Sequence, residues 1–192
     1  QMLYHILENT MVNAIGVDNE HRYMYATKDV VKMYDMRQLS KKPIKKFRTG
    51  QTDTNSISFS PCQRFVQISG TNNCCVICDV RFGRRPLYYL QHTPVPVTAN
   101  TGIIGITGAN WYTSSFIVTG GEDKNVRVWD LSRANPQIAK YEGSAHISAL
   151  DVSRHGDMIV AGDEATSVFL WTLEDDVRYL LQDNNSVIEA GG

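Results

Sequence analysis

The chain has 192 residues, 42% of them hydrophobic, with 19 Lys+Arg against 20 Asp+Glu and a formal net charge of −1. That length suits one or two domains with a real core, and the composition excludes a disordered, collagen-like or disulfide-stapled chain. No run of about 18 apolar residues encodes a membrane-crossing helix.

The elements recur along the chain. Residues 2–7 have the pattern of an isolated strand. A first unit, about 12–50, carries a turn at Asp18–Arg22, a strand over Tyr23–Thr27 and another over Val30–Asp35. A second, about 55–92, carries a turn at Ser60–Arg64 and strands over Phe65–Gly70 and Cys74–Asp79. A third, about 103–142, has a predicted turn at Ala109–Thr113 and strands over Phe116–Gly121 and Asn125–Asp130. A fourth, about 146–182, has a turn at Ser153–Asp157, strands over Met158–Gly162 and Ser167–Thr172, and a last strand at 177–182. The residue closing each third strand falls at Tyr34, Cys78, Trp129 and Trp171, spaced 44, 51 and 42 apart. Apolar residues stand one and three positions before each, which is the period of a strand. No segment shows a helical period. The pattern predicts an all-β chain of about sixteen strands in four-strand units.

Four-strand units of this length, closing the third strand in an aromatic–acid pair, resemble the WD40 repeat; Phe116 to Asp130 is the best match. The resemblance covers about 12–182. It implies a β-propeller with four visible blades, residues 2–7 being the outer strand of a preceding blade, within a ring of about seven. It also implies a buried structural tetrad in the third blade: His92, Thr119, Asp123 and Trp129. The slots in the other blades are filled by Asp29 and Tyr34, by Asn72 and Cys78, and by Glu164 and Trp171, so those blades are expected to be less rigid.

The resemblance sharpens at Tyr34-Asp35-Met36-Arg37, Cys78-Asp79-Val80-Arg81 and Trp129-Asp130-Leu131-Ser132-Arg133. An aromatic-Asp-x-Arg ending is similar to the box of WD40 substrate receptors of cullin–RING ubiquitin ligases, where the Arg helps dock the ligase adaptor. The competing reading is that each Arg pairs locally with its Asp. The resemblance implies that Lys41, Lys42, Arg84 and Arg85 share one propeller rim with Arg37, Arg81 and Arg133, so an acidic protein surface is one expected partner and a nucleic-acid backbone the alternative. The nearby aromatics Phe47, Phe82, Tyr88 and Tyr89 sit at strand spacing and are expected to pack. The opposite rim, where this family commonly holds peptides, matches Asn13, Lys28, Asn55, Thr71, Glu122, His146 and Glu164.

Charge is uneven: residues 1–100 carry +6 and residues 101–192 carry −7, which bears on which face meets which partner. Nothing recommends an enzyme. No phosphate loop, nucleophile elbow or HExxH is present. Cys75 and Cys78 lie on one strand and so on opposite faces, unlike a zinc pair on a tight turn. No cofactor, metal or membrane contact is expected. Three of the four cysteines crowd together, so a reducing compartment, nucleus or cytoplasm, is expected. The first residues lack the basic and apolar regions of a signal peptide, and a start at Gln1 is expected of a fragment or processed chain. The expected role is a non-enzymatic scaffold in a multi-subunit complex.

Overall fold

The computed structural model describes residues 5–6, 8–19, 21–28, 30–38, 42–82, 85–96, 104–153 and 158–172. Within them lie fifteen antiparallel strands and one short 3-10 turn, Met36–Gln38. The first sheet contains β1 (Ala14–Val17), β2 (Arg22–Thr27), β3 (Val30–Asp35) and β4 (Lys45–Arg48). The second contains β5 (Thr54–Phe59), β6 (Phe65–Gly70), β7 (Cys74–Asp79) and β8 (Tyr88–Gln91). The third contains β9 (Ile106–Trp111), β10 (Phe116–Gly121), β11 (Asn125–Asp130) and β12 (Gln137–Glu142). The fourth shows three strands, β13 (Ile147–Val152), β14 (Met158–Asp163) and β15 (Val168–Thr172). The predicted outer strand at 177–182 and most of 2–7 lie outside the described residues. His5, Ile6 and Glu8 are described, and none of them is in a strand.

Every sheet is a meander, and the first strands β1, β5, β9 and β13 pack on one another in chain order. This is the stacking of propeller blades about an axis. Three cores fill the gaps. Met24, Val31, Phe47, Ile57, Val66 and Ile68 lie between the first two blades. Ile77, Leu90, Ile106, Ile117 and Trp129 fill the second gap. Phe116, Val118, Val128, Ile147 and Ile159 fill the third.

Blade position dictates burial. β7 and β11 are buried at all six positions, because a blade covered on both faces has no solvent side. β15 alternates exposed and half-buried residues, and Val160, Val168 and Leu170 are exposed in the fourth blade. Cys74 and Cys78 face the first core and Cys75 the second, as strand alternation requires. Burial pushes the Cys74 thiol up to about 11 and the Cys78 thiol to about 12.

One predicted element differs. The turn expected at Ala109–Thr113 begins later, since Ala109, Asn110 and Trp111 belong to β9. The Asn110 amide donates to Leu150 O at 3.0 Å in the next blade, so a turn-forming residue type is used here as an inter-blade tie. Backbone conformation is demanding at Gly105: its φ is +71°, and a Cβ there would collide with the backbone of Gly70 and Thr71.

Candidate functional site

The turns that follow the third strands share one rim with the turns that follow the first strands. In the first three blades the third-strand turn is shaped by the aspartate that closes the strand. The Asp35 carboxylate accepts the Arg37 backbone N–H at 2.9 Å, which bends the chain, and also Arg37 Nε at 2.9 Å and Nη2 at 2.6 Å. Asp79 accepts the Arg81 N–H at 2.8 Å, Nε at 3.2 Å and Nη2 at 3.0 Å, and takes Arg64 Nε at 3.1 Å as well. In the third blade Ser132 fills the backbone role on Asp130 at 3.0 Å and Arg133 Nε still reaches it at 3.0 Å. The one-residue lag of Arg133 is thus absorbed.

The carboxylates are buried and the guanidiniums are not. Side-chain exposure is 66% for Arg37, 53% for Arg81 and 43% for Arg133, against 7% or less for their aspartates. The Arg37 side chain and N–H hold Asp35 at about 2, and the Arg81 side chain holds Asp79 well below the usual carboxylate range. Lys45 donates to Val80 O at 2.6 Å and Arg81 O at 2.5 Å, bolting the first blade to the second-blade turn; burial lowers its pKa. Lys42 and Arg85 are exposed on this rim, while Lys41 and Arg84 lie outside the described residues. Phe47 is buried, as its strand spacing predicts. Phe82 and Tyr89 are not: they are 72% and 63% exposed, because the chain after β7 and the outward register of the edge strand β8 turn them to solvent. The Arg81 guanidinium lies 5.0 Å from the Phe82 ring centroid.

On the opposite rim the sequence-predicted residues mostly contact one another or the next blade. Asn55 Nδ2 donates to Ile104 O at 2.7 Å and Ile106 O at 2.9 Å, across the gap to the third blade. Asn13 Nδ2 donates to Asp53 Oδ1 at 3.3 Å, and the Asp53 N–H donates to Thr71 Oγ1 at 3.0 Å. Glu122 is buried and accepts the Gly105 N–H at 2.8 Å. His146 Nε2 sits 2.8 Å from Glu164 Oε1. Lys28 is exposed at a left-handed φ of 53°.

The tetrad residues meet inside the third blade. His92 Nδ1 is 2.8 Å from Asp123 Oδ1 and its Nε2 is 2.7 Å from Thr119 Oγ1; Trp129 Nε1 donates to the same Thr119 oxygen at 2.7 Å. Asp123 also accepts Arg127 Nη2 at 2.6 Å and the Thr93 N–H at 3.1 Å. Burial lowers the His92 pKa despite the carboxylate beside it, which favours the neutral imidazole. Burial acts to raise Asp123, but the His92 and Arg127 bonds outweigh it and hold the carboxyl far below its ordinary value.

Three residues escaped the sequence reading. Gln51 occupies in the second blade the place of His92: its Nε2 donates to Cys74 O at 2.7 Å and its Oε1 accepts the Asn72 N–H at 3.1 Å. The pair Gln51-Thr52 mirrors His92-Thr93, the signal that was there to find. Arg127 closes the carboxylate side of the tetrad, and nothing in a strand pattern marks an inward Arg. In the fourth blade, Asp163 rather than Glu164 organises the turn: it accepts Ser144 Oγ at 2.6 Å, the Ala145 N–H at 2.9 Å and the Ser167 N–H at 2.9 Å, and the Ser144 bond leads in holding it at about 2.

Comparison with known proteins bears on this architecture. The repeat family described as WD domain, G-beta repeat matches residues 101–130 and 135–172. The chain is 34% identical over 102 residues to Rik1-associated factor 1 of Schizosaccharomyces pombe, covering 50% of this chain and 16% of that protein. It is 33% identical over 69 residues to WD repeat-containing protein RUP1 of Arabidopsis thaliana, covering 34% of this chain and 18% of that one. The chain thus matches less than a fifth of the length of these two relatives. Among solved structures, one described as the Dos1 propeller superposes with a TM-score of 0.68 at 26% identity, covering 84% of this chain and 41% of that one.

Proposed function

The chain belongs to the WD40 β-propeller family, and from that premise we propose that it is a non-enzymatic scaffold whose Arg-bearing rim docks a protein partner within a multi-subunit complex. WD40 propellers generally act as non-catalytic platforms that grip protein partners. The observation that carries the finer reading is the repeated turn on one rim, a half-exposed guanidinium held on a buried carboxylate in three successive blades. A guanidinium fixed in this way has lost most of its side-chain freedom before a partner arrives, so less entropy is lost on docking. The sharper form of the proposal is a ubiquitin-ligase substrate receptor or a chromatin-complex subunit in the nucleus. The fission yeast relative supports the assembly reading, since its name marks it as a factor associated with another protein.

The second reading is a nucleic-acid-binding propeller, favoured by the exposed Lys42 and Arg85 on the same rim and the +6 charge of residues 1–100. One experiment separates the two. Tagged protein is purified from a nuclear lysate as wild type and as the double variant Arg37→Ala, Arg81→Ala. Docking predicts a partner lost with the double variant while the fold is intact. Asp79 keeps Arg64, and Asp35 keeps the backbone N–H of residue 37, so neither carboxylate is orphaned. A partner held equally by both forms overturns the docking reading. Nucleic-acid binding that shallows by about three to four in log–log salt slope when Lys41, Lys42, Arg84 and Arg85 become Ala establishes the second one.

A further inference from the structure

The first strands of the second, third and fourth blades end together at the axial end of the Arg-bearing rim. Phe59, Trp111 and Val152 close β5, β9 and β13, and Ser58, Asn110 and Asp151 precede them. With Pro61 from the turn after β5, these residues line a cleft of about 340 Å³. Its walls are aromatic and aliphatic. Trp111 is held in place across the blade gap by its Nε1 donating to Ser58 O at 3.2 Å, so the ring is positioned before any ligand enters. A volume at the small end of the range for ligand pockets suits one long side chain and not a nucleotide.

Most polar atoms of the cleft are left as acceptors, and the Ser58 hydroxyl can serve either way. Asn110 uses its amide hydrogens on Leu150 O at 3.0 Å and Asp151 Oδ1 at 3.1 Å, so what the amide has left to offer is its carbonyl oxygen. The Asp151 carboxylate also takes the Val152 N–H at 2.8 Å, and both of these bonds fall on Oδ1. The Ser58 hydroxyl is buried and has no hydrogen-bond partner among the described residues. Among the described residues, none that lines the cleft is cationic. Aromatic faces, a carboxylate and spare carbonyl acceptors together complement a donor-bearing cation and repel a phosphate.

We propose that this cleft binds the basic side chain, arginine or lysine, of a partner peptide that enters at the axial end of the rim. The stem of that side chain lies along Phe59 and Trp111, and its charged head meets Asp151 and Asn110. The site is separate from the docking Arg residues, which sit at the third-strand turns, so it stands whether or not those dock a partner.

The test uses the isotopically labelled protein and two capped pentapeptides, Gly-Gly-Arg-Gly-Gly and the same sequence with neutral citrulline at the centre. The indole N–H signal of Trp111 is assigned by its disappearance in Trp111→Phe. Saturable movement of that signal with the arginine peptide is expected, with citrulline and the Asp151→Asn variant each weakening binding about tenfold. Asp151 is exposed and Asn preserves its shape, so the variant folds. A lysine peptide that binds better than its norleucine counterpart supports the same site. Equal binding of arginine and citrulline, no loss with Asp151→Asn, or no movement of the Trp111 signal at millimolar peptide overturns it.

Discussion

Where the third blade threads His92, Thr119, Asp123 and Trp129 through its interior, the second blade fills the same register with Gln51, Ile68, Asn72 and Cys78. Ile68 stands opposite Val76 where Thr119 stands opposite Arg127, and both Ile68 and Thr119 are fully buried. The first solution is a chain of mutually satisfied polar groups, in which every donor needs its acceptor. The second removes those groups from the core and keeps polar chemistry at its edge, where Gln51 and Asn72 close the turn on backbone atoms. The contrast teaches that blade geometry is set by strand register and packing, and that the polar chain is a second way to fill the same slots, one in which each group depends on its partner.

Substitutions in matched slots break or sharpen that contrast. The largest expected effect is Trp129→Ala, which loses a buried indole and one of the two hydrogen bonds on Thr119, costing about 4 kcal/mol, against about 1 kcal/mol for Cys78→Ala. Urea unfolding of both variants measures the gap; equal losses would remove the distinction between the blades. Next is Thr119→Val, an isosteric change that strands the Trp129 and His92 nitrogens and costs about 2–3 kcal/mol. Its mirror, Ile68→Thr, buries a hydroxyl among apolar side chains and costs about 2 kcal/mol.

A smaller effect is one of pH. Folding lowers the His92 pKa below its unfolded value near 6.5, so the unfolded chain binds the extra proton. Stability is therefore complete above that pH and falls as pH drops below it, with a slope approaching about 1.4 kcal/mol per unit. His92→Gln, which imports the second-blade residue, should flatten this slope between pH 6.5 and the carboxylate range. Thermal melts at stepped pH check it. The smallest effect lies in the fourth-blade turn, where Thr166 adopts a φ of 63° and the second blade has Asn73 at 54°. A β-branched residue is strained there, so Thr166→Asn should stabilise by about 0.5–1 kcal/mol.

The third strands were legible because their aromatic or sulfur landmarks recur at matched positions after period-two apolar residues. That period describes β14 and β15, which have a solvent face, better than β7 and β11, which have none. The misread turn at Ala109–Trp111 came from residue types: Gly108 and Asn110 look like turn formers, yet Gly108 admits Leu150 closely and Asn110 ties the next blade. The tetrad was legible as a pattern, but its substitute in the second blade was not. The parallel of Gln51-Thr52 with His92-Thr93 was its one sequence signal, and the role of Gln51 shows once the outer strand places it beside the Asn72 turn. The acid in the fourth-blade turn was misplaced by one residue because Asp163 and Glu164 are adjacent and differ only in which way the strand end turns them. Asn55 and Glu122 were assigned to the rim by position, while the neighbours they hold are set by contacts fifteen or more residues away, beyond any local signal.

The Lys45 ammonium, clamped on the Val80 and Arg81 carbonyls to either side of the Arg81 Cα, makes the first two blades a single lever arm at that edge. A binder that spans Arg37 and Arg81 therefore meets a ruler of set length and not two independent fingers. Pulling on either one should strain both.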